Sequence, residues 1–133
     1  MIYSLREIIM SKVPYHYLPG FENVYLEDTY VLDIVEEPTR LIFTLDVVLT
    51  EGHPLYQVPS IEEQYCYRKA LLEFSGIKKI MWISRHLQPF TDATGSVDYG
   101  NIDIFYKSDF TYHLEGDWGS VDIEPSECIL AFS

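Results

Sequence analysis

Leu41-Ile-Phe-Thr-Leu-Asp-Val-Val-Leu-Thr50 decides the fold. Leu41, Phe43, Leu45, Val47 and Leu49 fall on one phase of a two-residue repeat, and Ile42, Thr44, Asp46, Val48 and Thr50 on the other. Successive side chains of a strand point to opposite faces, so one phase is buried and the other half-covered. A helix would scatter the same five apolar residues around its surface. Immediately upstream, Tyr30, Leu32 and Ile34 alternate with Val31, Asp33 and Val35, and Glu36-Glu37-Pro38-Thr39 supplies turn residues. The two runs form a hairpin.

Outward from that hairpin the same rhythm recurs. Tyr65 to Phe74 reads as a strand with Cys66, Ala70, Leu72 and Phe74 on one face, broken by Ser75-Gly76. Ile77 to His86 follows as its expected hairpin partner. Ile80 and Trp82 share one of its faces and Met81 and Ile83 the other, which places it in the interior of a sheet. Ile102–Lys107, Phe110–Leu114, Trp118–Ile123 and Cys128–Phe132 are short strands separated by Ser108-Asp109, Glu115-Gly116-Asp117 and Glu124-Pro125-Ser126, the spacing of a meander. The expectation is a mainly β chain, an antiparallel meander of about eight strands. A sandwich, a curved sheet and a partly open barrel all satisfy the pattern. The one helical spacing is Ile2, Leu5, Ile8 and Ile9, a short N-terminal helix at most.

The 133 residues suit one domain spanning 1–133, with 1–12 peripheral. Aromatic content of 15% favours strands, on whose pleated surface rings pack well. Arg6 and Glu7 interrupt the apolar face of the first residues, so no signal peptide is recognisable, and no segment approaches membrane-spanning length. The expected compartment is the cytoplasm, where Cys66 and Cys128 remain thiols. Met10, ahead of Ser11-Lys12, is an alternative start.

Net charge is −12 and is uneven. Residues 64–91 set Glu73 against Arg68, Lys69, Lys78, Lys79 and Arg85, whereas both flanking segments are strongly acidic. Such a field repels phosphate backbones, which argues against nucleic acid and anionic membranes and permits a basic protein partner.

Two long loops, Glu51–Glu63 and Leu87–Gly100, are the natural places for binding on a β domain. Asp92-Ala-Thr-Gly-Ser-Val-Asp98-Tyr-Gly-Asn-Ile-Asp103 carries the oxygens of a cation loop. However, Val97 stands where a calcium loop needs glycine, and the twelfth position is Asp103 where that loop has glutamate. Turn residues bonding their own backbone explain the same composition. His16, His53, His86 and His113 lie too far apart for a zinc motif, and His113 falls on the solvent-facing phase of its strand. Cys66 shares a phase with apolar neighbours and reads as a packing residue rather than a nucleophile paired to His53 or His86. Nucleophile-elbow, phosphate-loop and dinucleotide signatures are missing, so no catalytic residue, metal or cofactor is assigned. Leu114-Glu-Gly-Asp-Trp118-Gly is either an aromatic anchor on an acidic rim or a tight turn whose indole covers the core. The candidate binding residues are His53, Tyr56, Asp92, Asp98, Tyr99, Asp103, Asp117 and Trp118.

The runs Tyr25-Leu-Glu-Asp-Thr-Tyr-Val-Leu32, His53-Pro-Leu-Tyr56, Tyr65-Cys-Tyr67, Asp98-Tyr-Gly-Asn-Ile-Asp103 and Glu115-Gly-Asp-Trp-Gly119 together resemble a small bacterial family of unknown function. That resemblance carries no active-site motif. In size and acidity the chain is also similar to immunity proteins of bacterial toxin systems, which implies a non-enzymatic domain that neutralises a basic protein. Two alternatives remain: a small-molecule binder with a tyrosine- and tryptophan-lined pocket, and a metal-dependent hydrolase. The hydrolase would require at least three of His53, His86, Asp92, Asp98 and Asp103 to converge.

Overall fold

A computed structural model describes residues 12–133; the expected helix over Ile2–Met10 lies outside them. Leu41–Leu49 forms β3 and pairs antiparallel with β2, Val24–Glu36, through the expected turn, where Glu37 N–H donates to the Arg40 carbonyl. On the other side β3 pairs with β4, Cys66–Ser75. The phase-one residues of β3 are buried, as are Ala70, Leu72 and Phe74 of β4, so one face of this ladder is apolar up to Arg68, which stands opposite Val47 near its end. β11, Glu127–Phe132, completes a four-stranded antiparallel sheet in the order β11-β4-β3-β2.

A second, five-stranded sheet holds β8 (Ile104–Ser108), β9 (Thr111–Gly116) and β10 (Gly119–Glu124) as the expected meander. β1, Lys12–Pro14, lies outside β8, and β5, Lys79–Arg85, lies outside β10. A two-residue-per-strand hairpin, β6 (Phe90–Thr91) with β7 (Val97–Asp98), lies beside β2. The eight anticipated strands are all present; the additional β1, β6 and β7 are too short to show a periodicity.

The two large sheets face each other across one core and are not closed into a barrel. Phe43 of β3 meets the Trp118 indole at 5.0 Å, and Phe74 of β4 meets Phe105 of β8 and Tyr112 of β9. Trp118 is fully buried, and its indole N–H donates to the Asn101 carbonyl at 3.0 Å, so its one polar atom is satisfied. Gly119, next in the chain, has φ of 137° and lies against the Ser84 carbonyl, leaving no room for a side chain. Among the described residues these side chains form one buried apolar cluster between the sheets.

Two pairing expectations are corrected. β4 and β5 are not a hairpin: Gly76, at φ of 59°, sends the chain across to the other sheet, and β5 pairs with β10. Nor is β5 interior. It is an edge strand, with Ile80 and Trp82 against the core and Met81 and Ile83 exposed. Its free side is latched to the other sheet by Glu36, which accepts from the Trp82 indole at 3.1 Å and from Arg85 at 2.8 Å. No helix among the described residues is long and apolar enough to cross a membrane.

Candidate functional site

The outer face of the four-stranded sheet carries the tyrosines. Tyr25 and Tyr30 stand on β2, Tyr67 on β4, and Tyr65 just ahead of it. Their rings form a chain: Tyr25 to Tyr65 at 6.4 Å, Tyr65 to Tyr67 at 6.1 Å, both edge-on, then Tyr67 stacked on Tyr30 at 5.8 Å. Val48 lies on the same face yet is buried, because this roof of rings covers it.

A bulge builds the arrangement. Tyr25 pairs with Val48 and Tyr30 with Asp46, so four residues of β2 oppose the single Val47. The buried Thr29 hydroxyl fills the gap, donating to the Tyr25 carbonyl at 2.8 Å and accepting from Val48 N–H at 3.1 Å. Asn101 donates to the Thr29 carbonyl, and Tyr15 donates its hydroxyl to Glu27 while accepting from Leu26 N–H. With the bulge satisfied in this way, Asp28 is held outward and accepts from the Tyr65 hydroxyl at 2.7 Å.

Along this face run two hollows. One, of about 560 Å³, is lined by Tyr30, Leu32, Asp46, Lys69, Asp92, Ser96, Val97 and Asp98. The other, of about 210 Å³, lies toward the Glu51–Glu63 loop and includes Tyr25, Glu51, Tyr56, Pro59 and Tyr65. The tyrosine chain joins them. Burial, partly offset by Lys69, raises the Asp46 pKa; burial first, then Tyr30 and the carboxylates of Asp28 and Asp46, push the Tyr67 hydroxyl up to about 12. The surface is therefore acidic, aromatic and partly shielded from water.

The polar segment expected to bind reaches this face from above. Tyr99 N–H donates to the Val31 carbonyl and Val31 N–H to the Gly100 carbonyl, docking the β6–β7 hairpin on the edge of β2. Gly100, at φ of 90°, makes that turn and lies against Asp117. Asp92 Oδ1 accepts from the Thr94 hydroxyl and N–H and from Ser96 N–H, and the Thr94 bonds lead in holding its pKa low. Asp98 Oδ1 accepts from Gly100 N–H. These oxygens shape a turn, and among the described residues no group of three or more His, Cys, Asp or Glu side chains is placed to hold a metal ion.

Of the eight expected binding residues, Asp92, Asp98 and Tyr56 meet the groove. Tyr99 is half-buried and packs against the core. His53 lies against Phe132 at 4.9 Å; its Nδ1 accepts from Leu55 N–H, and burial lowers its pKa. Asp103 and Asp117 belong to a separate acidic cluster, where burial, then Asp117, Glu27 and Glu115, raise the Asp103 pKa. Trp118 is no surface anchor, because it lies at the centre of the core. The hydrolase set is dispersed in the same way, with His53 on Phe132, Asp92 and Asp98 in the groove and Asp103 in the other cluster. Tyr25, Tyr30, Tyr65, Tyr67, Asp28 and Asp46 were not among the expected residues. The signal for them was the polar phase of β3 and the Tyr65-Cys-Tyr67 alternation.

His113 is also corrected. It points outward from β9 but is shielded, its side chain only 13% exposed, with Nδ1 2.5 Å from Asp122 and Nε2 2.6 Å from Glu115. Burial alone would lower its pKa, but the two carboxylate bonds outweigh that and raise it. Tyr106, with Lys12 over its ring, covers the imidazole. Cys128 is pushed up to about 12 by burial, which makes it an unreactive thiol. Comparison with protein-family models, curated proteins and solved structures gave no match.

Proposed function

We propose that this chain is a non-enzymatic acidic binding protein, immunity-like in character, that captures a basic protein on the outer face of its four-stranded sheet. The observation that carries the reading is the co-location of four contacting tyrosines with Asp28, Asp46, Asp92 and Asp98 on one open surface, where, among the described residues, Lys69 is the one cation lining the larger hollow. Tyrosine supplies rigid amphipathic contact area at small entropic cost, and carboxylates around it steer a cationic partner into place. The net charge of −12 adds a long-range attraction of the same sign.

The test is calorimetric titration with a small cationic protein at low ionic strength, repeated at high ionic strength. Binding is expected at low salt and is expected to weaken severalfold as the Debye length shrinks from about 10 Å towards 3 Å. A flat titration at low salt, with cationic proteins of several shapes, would remove the proposal.

A further inference from the structure

Resting on that binding reading, we infer that the Tyr30 end of the groove is a receptor for an arginine side chain, presented by an extended segment of the basic partner. A guanidinium asks for two things at once: a flat π face to stack on, and carboxylate oxygens in the plane of its fork. Both are present. Tyr30, 40% exposed, lines the hollow, and stacking on Tyr67 at 5.8 Å with ring planes 29° apart holds its ring in place. Asp46 is the direct cross-strand neighbour of Tyr30. Its raised pKa reflects the cost of a charge already shielded from water, a cost that an arriving cation offsets. From the other side Asp92 and Asp98 line the same hollow, each fixed through its Oδ1 by backbone N–H groups. Three carboxylates around Lys69 leave a surplus negative charge for a guest.

Arginine fits better than lysine for a physical reason. An ammonium is a compact, strongly hydrated charge that gains little from a ring face, whereas the guanidinium is planar and weakly hydrated. The extended form follows from the open sheet face, along which the two hollows are strung by the tyrosine chain. A chain lying there with its arginine at Asp46 can place an apolar neighbour beside Tyr25, Tyr56 and Pro59.

Two short peptides of equal length and charge, one alternating arginine with serine and one alternating lysine with serine, separate the possibilities when titrated into the intact chain at low salt. The arginine peptide is expected to bind about tenfold more tightly. Tyr30→Leu and Asp46→Asn are each expected to weaken it about tenfold and to abolish the preference, whereas Tyr30→Phe retains it. Glu127→Gln, which removes one exposed carboxylate on β11, sets the size of a purely long-range effect, expected below twofold. Equal affinities for the two peptides, or binding indifferent to Tyr30→Leu and Asp46→Asn, would overturn the arginine receptor and leave the acidic-capture reading intact. No binding of either peptide at low salt would overturn both. Unfolding midpoints of the variants within a few degrees of the parent show that the site, and not the fold, was changed.

Discussion

Thr29 is the smallest group on which the tyrosine face depends. Its hydroxyl stands in for a missing ladder bond at the bulge, so Thr29→Val keeps the shape but leaves the Val48 N–H and the Tyr25 carbonyl without a partner. The expected cost is about 1–3 kcal/mol, read as a lower denaturant midpoint at unchanged slope, with Thr29→Ser recovering most of it. His113 gives a different kind of prediction. Only an imidazolium can donate to both Asp122 and Glu115, and its pKa in the folded chain lies above the ordinary 6.5. The bridge therefore stabilises fully below about 6.5 and is lost as pH rises through the raised value. Unfolding midpoints measured from pH 6 upward should fall in the parent and stay level in His113→Gln; equal slopes would remove this role. Trp118 shows what single residues concealed. Its Gly-Asp-Trp-Gly setting suits a surface turn and a core plug equally, and only the position of Phe43 and the Asn101 carbonyl, distant in sequence, decides for the plug.

The two-residue rhythm located strands well and partnered them poorly, and β5 shows why. Ser75-Gly76 is as good a signal for a hairpin as for a crossing, because both need a residue tolerant of positive φ. The deciding bonds are Ile77 N–H to the Thr39 carbonyl and Lys78 N–H to the Glu124 carbonyl, which draw the chain away from β4. Apolar residues on both faces suggested a covered strand, yet Met81 and Ile83 are more than half exposed on an edge that no other described strand pairs. Such an edge invites pairing with another chain, and the lysine at its start is a typical guard against it. Lys79→Ile is expected to raise self-association over the parent, visible as a larger weight-average mass in sedimentation as concentration increases. An unchanged mass would mean that the Glu36 latch, and not Lys79, protects the edge.

For the whole chain, the acidity was plain from composition, and the two long loops were recognisable, which is how Asp92, Asp98 and Tyr56, three of the residues lining the hollows, came to be named from sequence. The remainder of the groove was not legible, because Tyr25 and Tyr65 meet across forty residues of sequence and a bulge decides which way Asp28 points. Acidification should discharge this surface unevenly. Asp46, its pKa raised by burial, protonates before Asp92, whose hydroxyl and backbone donors hold its pKa low. Binding of an arginine peptide should thus decline on acidification earlier in the parent than in Asp46→Asn, whose weaker affinity should track the remaining carboxylates.

Because β4 is flanked by β3 on one side and by β11 on the other, the four-stranded wall waits for the last segment described here. A ribosome that has delivered the chain only as far as Glu124 has supplied every described strand of the opposite wall, while the rim of β4 has only water to bond its amides. At roughly 5–20 residues per second that interval is brief. It is also when a stray strand from a neighbouring nascent chain can occupy the place that belongs to Glu127–Phe132.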